Sequence, residues 1–256
     1  MARKTTLYSF GPSHYCEKAR WALDLSGLDY REVCWAPGVH VLLSRRIAPR
    51  SSVPILRGAD GTIQGSAAIL TWIEESGRAA WSAPTGEAER AEIERLETLA
   101  DETMGVAVRR LAYATGLSTE PDTVAEALLR DVAPWQKRLG RLLWPKTRQL
   151  ISSALQATGD DIPEARDQVE DTLAQVDGLV ADGRDHLVGG RLTRADIALA
   201  SLLSPVVNPP EHPVYPRMTL WAAMSEIIAP WQERPSLRWA ARLYHTHRAP
   251  AAAPAA

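Results

Sequence analysis

Residues 5–28 read TTLYSFGPSHYCEKARWALDLSGL, and this stretch decides the fold. Thr5–Phe10 alternates and is β-prone, the pattern of a strand. Gly11 and Pro12 break it, and Glu17 to Ser26 then carries helix formers up to a stop at Gly27. Ser13 and Cys16 therefore fall on the loop and first turn of a helix that directly follows a strand. There the first helical amides lack partners and the helix dipole adds partial positive charge, so an anion such as a thiolate is favoured. A hydroxyl and a thiol three residues apart at such a place suggest sulfur chemistry. Each also has a purely structural reading, Ser13 as an N-cap and Cys16 as a small buried residue. The local sequence leaves both open.

Working outward, Tyr30–Trp35 reads as a second strand, and Ala36–Arg50 opens on Pro37-Gly38 and holds a short helix from Val39 to Ile47. His40, Arg45 and Arg46 lie on it, either as a solvated basic face or as anion ligands. Val53–Arg57 and Thr62–Gln64 are two short strands around Asp60-Gly61, a strong hairpin signal. Pro54 removes a ladder donor, so it belongs at an edge, a strand start or a tight cis turn. Gly65-Ser66 leads into an amphipathic helix closed by Gly77, with Ser66 as its N-cap. This order describes a small sheet covered by helices, an α/β unit spanning residues 1–80.

Arg78–Glu87 is a polar linker with Pro and Gly. Beyond it, residues 88–248 read as an all-helical domain: one long helix over Ala88–Leu117, one or two over Asp122–Ala157 broken near Trp144-Pro145, and another over Ile162–Gly183. Thr193 and Asp196 have capping-box spacing ahead of the apolar run IALASLL, which implies a fully buried helix. Asn208–Arg217 is a Pro-rich loop, with final helices over Leu220–Ile228 and Pro235–His247. The tail, 249–256, is low-complexity and expected to be disordered.

The composition bounds the function. A 45% hydrophobic content supplies a sizeable core. A net charge of −2 gives no basic balance for nucleic acid or an anionic membrane. No apolar run approaches bilayer length, and MARKTT precedes no signal-like segment. Two cysteines, Cys16 and Cys34, offer neither a disulfide framework nor metal spacing, so the expected setting is a reducing cytoplasm without a metal.

Three motifs carry a resemblance. SHYCEKARWAL (13–23) looks like the S-x-x-C stretch of serine-type, theta- and delta-like glutathione transferases. VPIL (53–56) looks like that family's cis-proline strand, and LVGGRLTRADIALA (187–200) like its capping stretch in the second domain. In this order and at these spacings they are jointly specific. Up to about His247 the chain resembles the cytosolic glutathione transferases, which implies a thioredoxin-like N-terminal domain followed by an all-helical one.

The resemblance also implies roles. Ser13 would donate to the glutathione sulfur and favour its thiolate. Val53, before Pro54, would pair its backbone with the cysteinyl part of the tripeptide, and Ser66 would hold the γ-glutamyl carboxylate. His40, with Arg45 or Arg46, would be the cation for the glycyl carboxylate. Relatives carry an acidic residue or Gln where this chain has Gly65, and a glycine offers the γ-glutamyl ammonium nothing. Weak glutathione binding is therefore implied, tightened about tenfold by Gly65→Glu where the backbone needs no positive φ. Cys16 as the active thiol, as in omega-like thiol transferases, is the alternative.

The second substrate is expected between the domains. On the long helix Asp101, Gly105, Arg109 and Tyr113 recur every four residues on one drifting stripe. They form either an ion-paired, solvated face or a site in which Arg109 and Tyr113 stabilise charge on an electrophile. The expectation is a homodimeric enzyme that conjugates glutathione, as co-substrate, to a small hydrophobic electrophile. A thiol-independent isomerase or lyase and a non-catalytic binding protein are the rivals.

Overall fold

The computed structural model describes residues 5–59 and 61–248. The hairpin residue Asp60 and the tail 249–256 lie outside the described residues. The N-terminal unit is a four-stranded sheet in the order β2-β1-β3-β4. β1 (Thr5–Ser9) runs parallel to β2 (Tyr30–Cys34), with Thr5 opposite Tyr30 and Ser9 opposite Cys34. β3 (Ile55–Gly58) is antiparallel to β1, with Leu7 opposite Leu56, and β4 (Gly61–Gln64) is antiparallel to β3. α1 (His14–Leu25) supplies the crossover that two parallel strands require. α2 (Val39–Ser44) follows β2, and α3 (Ser66–Glu75) follows β4.

The strand expected from Val53 begins only at Ile55, after the cis Val53-Pro54 peptide, and the Pro54 carbonyl still accepts from the Gly65 amide (2.9 Å) beyond the end of β4. Ser66 is not the cap of α3 but its first helical residue. The capping position belongs to Gly65, whose φ of 104° lies in the region that favours glycine.

Among the described residues, every regular element after Gly86 is helical. The expected single long helix is α4 (Glu87–Thr98) and α5 (Gly105–Thr119), joined without a break by a π-helical turn over Leu99–Met104. The break in the next segment lies between α6 (Pro121–Leu128) and α7 (Pro134–Leu155), not at Trp144-Pro145. Pro145 rides inside α7 on its exposed side, and Pro134 opens the helix where a missing N–H costs nothing. α8 (Ile162–Leu179), α9 (Arg194–Val207), α10 (Ala222–Ile228) and α11 (Pro235–His247) complete the chain.

α9 is the buried axis of the helical part, and α1 packs against it. Its start is secured by Asp196. One carboxylate oxygen accepts from the Thr193 amide (2.7 Å) and hydroxyl (2.8 Å), and the other accepts from the Leu187 amide (2.7 Å).

Polar anchors then fix α1, the helix that presents Ser13. Lys18 is fully buried and donates to Glu97 (2.8 Å) and Asp101 (2.8 and 2.9 Å) on the far side of the linker. Glu17 is equally buried and accepts from Arg20 (2.6 Å) and from Arg248 (2.8 Å), beyond the end of α11. Such groups are tolerated inside only because each charge meets an opposite charge at hydrogen-bond distance.

Candidate functional site

A cleft of about 450 Å³ opens between the sheet unit and the helices. One end is polar and formed by the loop before α1, by α2 and by the 52–53 segment, which bring Ser13, His40, Ser52 and Val53 to its lining. The other end is apolar and runs in among α5, α6, α7 and the 205–224 segment, reaching Leu128, Ile151, Trp221 and Met224.

Ser13 is the N-cap of α1, and its Oγ accepts from the Cys16 amide at 3.3 Å. With the lone pair engaged there, the hydroxyl hydrogen remains free to donate into the cleft. Cys16 points the other way. It is fully buried, takes no part in the cleft lining, and accepts at Sγ from the Phe10 amide (3.4 Å). Burial pushes its thiol up to about 11, against smaller opposing effects from the Ser13 and Phe10 hydrogen bonds. A thiol so placed is a core residue.

His40 lines the cleft, but not as a cation. Burial lowers its pKa to about 4. Its Nδ1 accepts from the Gly38 amide (3.1 Å), and its ring meets Phe10 edge-on. That leaves Nε2–H as a neutral donor. Arg45 and Arg46 are exposed and do not reach the lining. Val53 makes no backbone hydrogen bond among the described residues, so its amide and carbonyl are available beside the cleft.

Pro54, Gly65 and Ser66 lie outside the lining. Gln64, next to Gly65, is already engaged: its amide donates to the Arg50 and Ser52 carbonyls, both at 2.7 Å. The positive φ at Gly65 removes the condition under which Gly65→Glu would tighten glutathione, because any side chain is strained there. Gly65→Ala is expected instead to cost about 1–3 kcal/mol in urea unfolding, and an unchanged midpoint would overturn this assignment.

The four-residue stripe on the long helix is divided by the fold. Asp101 is bound to Lys18 and lies outside the cleft, and Gly105 is packed so closely that a Cβ would lie 2.8 Å from the Tyr15 hydroxyl. Arg109 and Tyr113 do face the cleft, together with Ser13. The Arg109 guanidinium has no carboxylate partner among the described residues, its buried Nε is without a hydrogen bond, and its carbon sits 5.6 Å from the centre of the Tyr15 ring. Burial raises the Tyr113 phenol to about 12, so at neutral pH it is an O–H donor.

Sequence reasoning missed His14 and Tyr215. His14 follows Ser13 in the first turn and lines the cleft, with Nε2 3.1 Å from the Gly105 carbonyl. Burial first, then the Arg109 charge, lowers its pKa to about 3, so it is neutral. Tyr215 lies in the Pro-rich loop and donates to the Pro12 carbonyl (3.3 Å), which ties that loop to the residue before Ser13. Its only sequence signal was an aromatic residue in an otherwise polar, proline-rich segment.

Two family models match the chain: the glutathione S-transferase N-terminal domain over residues 7–79 and the C-terminal domain over residues 143–221. Solved structures share the fold. The β-etherase LigF from Sphingobium sp. strain SYK-6 is 20% identical with a TM-score of 0.60, over 93% of this chain and 98% of that one. A glutathione S-transferase from Rhodospirillum rubrum F11 is 25% identical with a TM-score of 0.52, over 92% and 91%. The glutathione transferase URE2P6 from Phanerochaete chrysosporium, solved with oxidized glutathione, is 15% identical with a TM-score of 0.65, over 95% and 92%. No curated protein matches the chain.

Proposed function

The chain belongs to the glutathione S-transferase superfamily, and we propose that it joins the sulfur of glutathione to a small hydrophobic electrophile, with Ser13 as a serine-type hydrogen-bond donor to the glutathione thiolate. One observation carries this reading. The Ser13 hydroxyl, its oxygen already capping α1, opens on a cleft that continues into an apolar chamber, whereas the nearby thiol of Cys16 is sealed in the core.

In this reading glutathione lies along the polar end, with its cysteinyl backbone against the free backbone groups of Val53 and its glycyl end near Nε2–H of His40. The Ser13 hydroxyl donates to the sulfur and favours its thiolate form. The electrophile occupies the apolar end. Arg109 and the Tyr113 hydroxyl face it as donors and stabilise negative charge that develops as the new S–C bond forms. Most of the rate enhancement comes from holding the thiolate ready. The two free cysteines accord with a reducing cytoplasm. The helix amides at α3 remain the candidate ligands for the γ-glutamyl carboxylate, beside Ser66 and Gly65.

The test is a conjugation assay with a chloronitrobenzene electrophile and a panel of thiols. Turnover with glutathione supports the proposal. No turnover with any thiol, in protein that still binds apolar ligands, favours a thiol-free activity or a binding role. Cys16→Ala is expected to leave conjugation within about twofold, because a buried, protonated thiol takes no part. Loss of activity in that variant with an unchanged dichroism spectrum would restore the thiol-transferase reading. A homodimer belongs to the same proposal and is checked by light scattering at micromolar concentration, where a monomeric mass would overturn it.

A further inference from the structure

α7 is a helix of 22 residues that touches the rest of the protein along one narrow stripe, with only Gln136, Gly140, Trp144 and Thr147 buried. Its exposed surface has two adjacent sectors. Trp135, Leu139, Leu142 and Leu150 recur at spacings that align on one side of a helix, and Leu143 lies beside them. Leu142 is 77% exposed and Leu150 61%. The flanking sector carries Lys137, Arg138, Arg141 and Arg148, while Lys146 sits among the leucines. The helix has no acidic residue. None of these five cations has a carboxylate partner among the described residues, whereas Arg20, Arg110, Arg194, Arg234 and Arg248 are all ion-paired. α2 abuts α7 where Gly38 meets Thr147, and it adds Leu42, 67% exposed, followed by the unpaired Arg45 and Arg46. The net charge of −2, which argued against an anionic surface, is an average over a strongly segregated distribution.

We propose that the exposed face of α7 docks on an anionic phospholipid surface. Apolar side chains that would enter the acyl boundary, beside cations that reach phosphate headgroups, are the composition of an interfacial helix. Charge complementarity selects the occupant. A second copy placed face to face would set these cations against one another, and a nucleic-acid backbone would leave the leucines and Trp135 in contact with phosphate and water. The helix also walls the apolar end of the cleft. Leu150 and Ile151 line it, and Leu150 is at the same time exposed, so the docking face adjoins the cleft mouth. An apolar compound dissolved in the bilayer would then reach the chamber without crossing water. The docking itself does not depend on the thiol chemistry proposed above.

The test is co-sedimentation of the full chain with phosphatidylglycerol-containing vesicles and with pure phosphatidylcholine vesicles. Binding to the anionic vesicles is expected to be at least about tenfold tighter and to weaken as salt is raised. Leu142→Glu should lower it about tenfold, as should Arg138→Gln combined with Arg141→Gln. All three positions are exposed, so the dichroism spectrum should not change. Equal or absent binding to the two vesicle types, or variants that bind like wild type, would overturn the proposal. So would an oligomer that Leu142→Glu dissociates in light scattering while vesicle binding is absent, which would assign the face to a second copy.

Discussion

Ser13→Ala is expected to lower the turnover of glutathione conjugation about 10²- to 10³-fold, the loss typical of removing one donor aimed at developing or stabilised charge. The expectation follows from geometry. Ser13 Oγ accepts from the Cys16 amide at the positive end of α1 and lines the cleft, so its hydrogen is free to donate there. Removing it should raise the pKa of the bound thiol while glutathione affinity changes little, because the proposed pose places the tripeptide's other contacts at Val53, His40 and the start of α3. The measurements are kcat with a chloronitrobenzene electrophile, the pH profile of kcat/KM, and glutathione titration by calorimetry. A variant with wild-type turnover and an unmoved profile would remove Ser13 from the mechanism.

Glu17→Gln is expected to lower unfolding stability by about 3–5 kcal/mol, the range for breaking a buried ion pair from one side. The substitution keeps the shape but leaves Arg20 and Arg248 short of a charge inside the protein. Arg20 retains Glu32 (2.7 Å) and Arg248 retains Asp24 (2.7 Å), so the protein should still fold. Burial works to raise the Glu17 carboxyl, but Arg248 first, then His212 and Arg20, outweigh it and hold the pKa at about 2. A carboxyl depressed on folding stabilises the protein above its unfolded pKa, near 4.5, and that contribution disappears as pH falls through about 2. Urea unfolding at neutral pH and through an acid series checks both parts. Glu17→Gln should flatten the acid limb, and a loss below about 1 kcal/mol would show that the cluster does not hold α1 to the C-terminal end.

Much of this protein is determined by short-range signals in its sequence. Gly11-Pro12 ends a strand and Ser13 caps the helix behind it; Thr193 and Asp196 satisfy each other across three residues; prolines 121, 134 and 235 open helices where no amide is needed, whereas Pro145 and Pro205 lie inside α7 and α9. These features depend on backbone groups a few residues apart, and so the element order and two-part architecture are legible without a structure. What the sequence left open was settled by direction and burial. Ser13 and Cys16 are three residues apart on the same turn, and only the packing of α1 on α9, with Lys18 and Glu17 locked into the helical part, decides which of them meets the cleft. The same holds for His40, neutral because it is desolvated, and for Gly65, whose positive φ strains the substitution that the family resemblance suggests. It holds for the stripe that runs from the π-helical turn into α5 as well, where one register places Asp101 against Lys18 and Arg109 in the cleft. A residue's type and spacing set what it can do. The solvent it loses, and the direction it faces, depend on segments far away in the chain.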